Sequence, residues 1–180
     1  MTWTGRPDLA PGAYPRGDQI EAILDQISFL TDRMQITQLS GDTAGTSGTT
    51  LLDITGLTLT GEAGARYAFE GLILYTAPAA NDFSFGITTP SGCTMAHHPL
   101  GPILGMVGDD GQARWAASTS TSGLIVNVGG GGASIIGLHW RGAITFGTTA
   151  GTLQTQYAAQ TAGGTAVVKS GSYLWGVRTN

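Results

Sequence analysis

Ile136-Gly137-Leu138-His139-Trp140-Arg141-Gly142-Ala143-Ile144-Thr145-Phe146 alternates with a period of two. Ile136, Leu138, Trp140, Ile144 and Phe146 fall on one side, and His139, Arg141 and Thr145 on the other. That is the pattern of a strand with one face in a core. Tyr67-Ala68-Phe69-Glu70-Gly71-Leu72-Ile73-Leu74-Tyr75 repeats it, with Tyr67, Phe69, Ile73 and Tyr75 on one face. Here Leu72 and Leu74 make the second face apolar too, which predicts a strand covered on both sides. Runs at 50–60, 82–89, 103–107, 112–117, 123–128, 152–159, 165–169 and 172–178 bring the total to about ten short strands. With no strong helical period after residue 34, an all-β sandwich or barrel follows.

The punctuation agrees with short strands. Gly108-Asp109-Asp110-Gly111, Gly129-Gly130-Gly131-Gly132 and Gly163-Gly164 read as turns, and antiparallel hairpins are the connections they predict. Gly41-Asp42-Thr43-Ala44-Gly45-Thr46-Ser47-Gly48 reads as an exposed loop.

Composition narrows the function classes. The chain has 180 residues, 29 of them Gly, with 11% charged residues and a net charge of −4. Ordinary domains carry about 25% charged residues and about 7% Gly. The length suits one domain with a short appendage. Scattered single Arg and Lys residues offer no basic stripe to replace phosphate counterions, so no nucleic-acid partner is expected. No apolar run approaches the roughly 20 residues of a membrane span. The stretch from Met1 to Pro7 has neither a basic nor an apolar segment of the kind that directs export. Cys93 is the single cysteine, which excludes an intrachain disulfide and suits synthesis in a reducing cytoplasm.

Two segments precede the strands. Residues 1–17 contain Pro7, Pro11 and Pro15 with Gly5, Gly12 and Gly17, a spacing that forbids continuous helix and predicts an extended arm. Trp3, Leu9 and Tyr14 on that arm are apolar groups suited to lying on another surface, the alternative being a loosely ordered chain end. Asp18 then stands three residues before Glu21, an arrangement in which each side chain accepts a free backbone N–H at a helix start. Ile20, Ile23, Ile27, Leu30 and Met34 follow at spacings of 3, 4, 3 and 4, so the spacing predicts a helix over 18–34 with a narrow heptad seam. Ile at both seam positions favours three or more strands over two. The alternative is one amphipathic helix lying against the sandwich.

The stretch from Arg141 to Gln160, with Lys169-Ser170-Gly171-Ser172-Tyr173-Leu174, resembles a domain of structural proteins in tailed bacteriophages, especially those of actinobacteria. Residues 65–95, including Phe83-Ser84-Phe85-Gly86-Ile87-Thr88-Thr89-Pro90, resemble its first half. Trp3-Thr4 with the Pro/Gly arm and short helix resembles the leader that attaches such proteins to virions. The resemblance implies a jelly-roll head of the complement-C1q and tumour-necrosis-factor type over 35–180, assembled as a homotrimer. It implies a virion-surface protein docked by its arm on a major capsid or tail protein. Heads of this type often bind calcium through clustered carboxylates; only Asp109 and Asp110 cluster here, so no metal or cofactor is carried over.

Catalytic patterns are absent from the sequence. There is no G-x-S-x-G elbow, and the glycine run lacks the Lys-Ser/Thr of a phosphate loop. Cys93 with His97 and His98 is the nearest nucleophile–base set, but it lies in a Pro- and Gly-bounded loop with no third group to orient it. That reads as a packed thiol beside surface imidazoles. His139 is a weak further zinc ligand. Glycosidase carboxylates would have to come from Asp53, Glu62, Glu70, Asp82, Asp109 or Asp110. Glu70, inside an apolar strand, is expected to pair with Arg66, Arg114 or Arg141, or to stand in a trimer interface. The expectation is a non-enzymatic virion component: arm 1–17 anchoring, helix 18–34 trimerising, head 35–180 projecting. The alternative is a receptor-binding tip in which Trp115, Tyr157 and Trp175 stack on the sugar rings of a host wall glycan; against it, each of these aromatics would pack in the core or along a trimer axis. A secreted binding module is a third class, disfavoured by the lack of an export signal.

Overall fold

The structure, a computed structural model, describes residues 17–31, 33–102, 104, 113–115, 118–120 and 125–180. It is a sandwich of two antiparallel sheets with one helix in front of it. Helix α1 spans Gly17–Thr31. The strands are β1 (Met34–Gln38), β2 (Leu52–Gly61), β3 (Arg66–Ala77), β4 (Phe83–Thr88), β5 (Thr94–Pro102) and β6 (Ala113–Trp115). They continue with β7 (Ser118–Ser120), β8 (Ile125–Val128), β9 (Gly132–Thr145), β10 (Gly151–Ala159), β11 (Val167–Val168) and β12 (Tyr173–Arg178). The larger sheet runs β1-β12-β3-β9-β5-β6, with β11 beside β3 and β7 beside β5; the smaller runs β2-β10-β4-β8.

The core is the set of inward residues that alternation singles out. Trp140 lies at its centre, its ring 4.5 Å from Phe69 and 5.3 Å from Phe85, with Ile73, Leu138, Ile144 and Phe146 buried around it. Tyr75 stacks on Phe83 at 4.0 Å between centroids, and its hydroxyl donates to the Gly129 carbonyl over 2.6 Å. Burial, and then the nearby Asp82 carboxylate, pushes the Tyr75 phenol well above its ordinary range, so it remains a hydrogen-bond donor. Where the sheets part between β1 and β2, Gln35 bridges them. Its side-chain N–H donates to the Thr60 carbonyl over 2.7 Å and its side-chain oxygen accepts from the Thr60 N–H at 3.0 Å.

Several expectations are corrected. The helix ends at Thr31, and Met34 opens β1 instead of closing a helical seam, because Met34-Gln35-Ile36-Thr37-Gln38 alternates and pairs with β12, Met34 opposite Val177 and Ile36 opposite Trp175. The stretch read as a loop around His97 is strand β5. Pro99 and Pro102 argue against a strand there, yet Met95, His97, Pro99 and Gly101 form a buried inward row. The glycine runs are not hairpin turns: 129–132 carries the chain from β8 in the smaller sheet to β9 in the larger, and 163–164 does the same between β10 and β11. Among the described strands, β5 and β6 are the only consecutive pair that forms a ladder within one sheet. The run must be glycine at Gly130, where a Cβ would stand 2.6 Å from the Ala77 carbonyl oxygen; its N–H instead donates to the Asp82 carboxylate over 2.9 Å. The expected turn at 108–111 and nearly all of the expected strand at 103–107 lie outside the described residues.

Candidate functional site

The register of the larger sheet places the residues that sequence left without a role. Directly opposed residues in antiparallel strands share a face. One row across the outer face therefore reads Ile36, Trp175, Glu70, Arg141, His98, from β1 through β12, β3 and β9 to β5. The row beside it reads Gln38, Tyr173, Leu72, His139, Leu100. On the other side stand Met34, Val177, Ala68, Ala143 and Ala96. With strands about 4.8 Å apart, these rows span about 20 Å.

This face is apolar around a charged centre. Ile36 is 64% exposed and Ile135, further along β9, 59%. Leu72, Leu74, Tyr173, Trp175 and Val177 are half-buried by their neighbours in the sheet, and no described element packs across them. The expectation that β3 is covered on both faces thus holds for its inner face, and its outer face is left open within one chain. At its centre the Glu70 carboxylate lies 3.1 Å from Nε2 of His139, each side chain about one-third exposed. Glu70 stands between Trp175 and Arg141 in its row, and its carboxylate meets the His139 ring where an arginine was expected. Small residues at Ala68, Ala96 and Gly142 leave a shallow open depression beside Trp175, Glu70, Arg141 and His98.

Behind that centre, in the core, lies His97. Its Nδ1 accepts the Trp140 indole N–H over 3.1 Å, and its buried Nε2 has no hydrogen-bond partner among the described residues. Burial, and then the charge of His98, lowers its pKa, so the imidazole is held neutral. The three histidines of the chain lie on the paired strands β5 and β9, His97 turned into the core and His98 and His139 in adjacent rows of the outer face.

The remaining candidates distribute as follows. Ile20 is 45% exposed, Ile23 37% and Ile27 51%, with Leu24 beside them, so α1 does not bury its apolar stripe against the sandwich. Leu30 lies in the last turn of α1, and Met34 stands on the outer face of β1. Trp3, Leu9 and Tyr14 lie outside the described residues. Of the three proposed sugar-stacking aromatics, Tyr157 is corrected: it is 3% exposed, ring near Phe83, hydroxyl donating to the Ala44 carbonyl, and cannot meet a ligand at the surface. Trp175 is on the outer face beside the depression, and Trp115 stands opposite Leu100 in the register. Sequence reasoning missed Ile36 and Tyr173, whose alternation with Thr37, Gln38 and Leu174 was the available signal.

No catalytic constellation forms among the described residues. Cys93 is buried, and His97 is engaged with Trp140. Asp53 accepts from Gln156, Glu62 pairs with Arg178, and Asp82 holds Gly130, each in a separate place. No three His, Cys, Asp or Glu side chains among the described residues are placed to hold a metal ion. No described helix is long and apolar enough to cross a membrane.

No family model matches the chain, and no curated protein does. Solved structures to which it is similar include the VP2 subviral particle of infectious bursal disease virus. That likeness has 14% identity over 82% of this chain and 33% of the other, with a TM-score of 0.27. The T13 particle of the same virus is similar at 14% identity over 82% of this chain and 40% of the other, with a TM-score of 0.21. The chain spans a third to two fifths of the length of these proteins. At such TM-scores the likeness carries no inference about what the chain does.

Proposed function

We propose that the protein is a non-enzymatic structural component of a tailed-phage virion. It acts as a short homotrimeric fibre or decoration protein, docked on a capsid or tail protein by residues 1–17 and displaying its β-sandwich outward. The observation that carries the self-association is the open apolar outer face of the larger sheet, continued along the chain by the exposed isoleucines of α1. Three copies closing on that face in a C1q-like jelly-roll arrangement would bury Ile36, Trp175, Tyr173 and Leu72 and bring the helices together as a bundle. The phage assignment is supported by the resemblance of 65–95, 141–160 and 169–174 to structural proteins of such phages. Placement on purified particles tests it: antibodies to the sandwich are expected to label virions at regular surface positions, and unlabelled virions would contradict it.

A receptor-binding tip is the second reading, favoured by Trp175 beside Glu70, Arg141 and the shallow depression. It needs this face open, whereas a trimer covers it. A glycan array with the full chain separates the two: binding lost in Trp175→Ala supports the tip.

A further inference from the structure

We infer that α1 of each copy lies against the outer face of the larger sheet of the next copy, its acidic flank meeting Arg66 and Arg141. This rests on the self-association reading above and names the contact that sets the copies in register. The helix, GDQIEAILDQISFLT, contains no Lys or Arg. Glu21 and Asp25 stand four residues apart on it, where like charges are neighbours and repel. Among the described residues neither side chain has an ion-pair or hydrogen-bond partner. At about 100° per residue, Leu24, Glu21 and Asp25 fall to one side of the line through Ile20, Ile23 and Ile27. A seam through the isoleucines therefore leaves this flank uncovered, with Leu24 57% exposed.

The outer face supplies what the flank lacks. Arg66, Ala68, Glu70 and Leu72 alternate along β3, so Arg66 stands on the same face as Glu70, and Arg141 stands opposite Glu70 on β9. The Glu70 carboxylate meets His139, and among the described residues no carboxylate reaches either arginine. Between the row of Arg66 and the row of Arg141 lie Val177, Ala68 and Ala143, low side chains over which a helix can approach. The 15 residues of α1 make a helix about 22 Å long, against the about 20 Å that these rows span across the strands. Two carboxylates without cations on one surface thus complement two arginines without carboxylates on another. Such complementarity fixes partner and register more than it adds affinity. It also relieves the repulsion between Glu21 and Asp25. The isoleucines stay turned toward the other helices, so this contact and the helical bundle form together.

The test is the association constant of the full chain, from its mass across a dilution series, with circular dichroism to show that helix and sandwich remain folded. Glu21→Lys with Asp25→Lys should weaken association by at least about tenfold, since it sets lysines against arginines. Arg66→Glu with Arg141→Glu should do the same, and all four changes in one chain should return association to within about threefold of wild type. The four changes also restore the net charge. The control is therefore the lysine pair combined with Thr88→Glu and Thr152→Glu, exposed on the smaller sheet, which should stay weak. Association indifferent to the helix charges, or recovery in the control as full as in the four-change chain, would overturn this inference and leave the assembly standing. A single-copy wild type throughout the series would overturn both and assign the face to a different protein.

Discussion

The indole N–H of Trp140 donates to Nδ1 of His97 over 3.1 Å, joining β9 to β5 inside the sandwich. A buried indole N–H needs an acceptor, and an imidazole that accepts through Nδ1 keeps its proton on Nε2. The pairing explains a histidine in the core of a β-sandwich, and it makes that histidine a stability element.

Because burial lowers the His97 pKa in the folded protein, the unfolded chain takes up the proton at higher pH. The contribution of neutral His97 is therefore complete above the unfolded value of about 6.5 and is lost as pH falls below it toward the folded value. Melting temperature should be lower at pH 5.0 than at pH 7.5. His97→Gln, which keeps an acceptor within reach of Trp140 but does not titrate, should show a smaller difference. An equal fall in the variant would place the acid sensitivity elsewhere.

Gly142→Ala should destabilise the sandwich by about 1–3 kcal/mol, the usual cost of forcing atoms into packed structure. A Cβ there meets the Ala96 carbonyl oxygen, the Phe69 ring at 2.7 Å and the His97 Cα at 2.8 Å, and the two backbone atoms cannot move aside. Gly137→Ala is the control, since its Cβ meets the end of the Leu72 side chain at 3.2 Å, which can swing away. Chemical denaturation compares the two. Equal losses would contradict this packing.

Tyr157→Ala and Trp175→Ala should separate stability from association. Removing the buried Tyr157 ring costs about 3–5 kcal/mol, by analogy with other buried aromatics. Trp175 lies half-buried on the open face, so Trp175→Ala should cost a single copy clearly less stability than Tyr157→Ala while weakening self-association. Denaturation of each variant, paired with its mass in solution, checks both halves.

Ile23→Asp with Ile27→Asp should loosen the helices of an assembly and leave the sandwich folded, because neither side chain is buried in one chain. The readout is mass together with the near-ultraviolet signal of Trp140 and its neighbours. Collapse of that signal would make α1 part of the globular core.

The fold class was legible because the stretches that form the middle of β3 and most of β9 place their large apolar residues at every second position, and alternation follows directly from the pleat. The core residues Trp140, Phe69 and Ile144 came with it. Connectivity was not legible. Glycine runs mark where the chain turns, and nothing local distinguishes a hairpin from a crossing between sheets. Strand β5 escaped because its inward row contains His97 and Pro99, whose suitability depends on Trp140 across the pair. Met34 satisfied both a helical seam and a strand start, and pairing with Val177 decided for the strand. Of the candidate site, Trp175 and Glu70 were visible as an aromatic and a carboxylate in unusual positions. Their neighbourhood with Arg141, His98 and His139 was not, since it is created by register between strands far apart in sequence.

Light scattering of the full chain at pH 7.5 tests self-association through the outer face most directly. The expected mass is about three times the 18.4 kDa of one copy, falling when Ile36 and Trp175 are both replaced by Asp. A mass of one copy at tens of micromolar protein, or a trimer indifferent to those replacements, would contradict it.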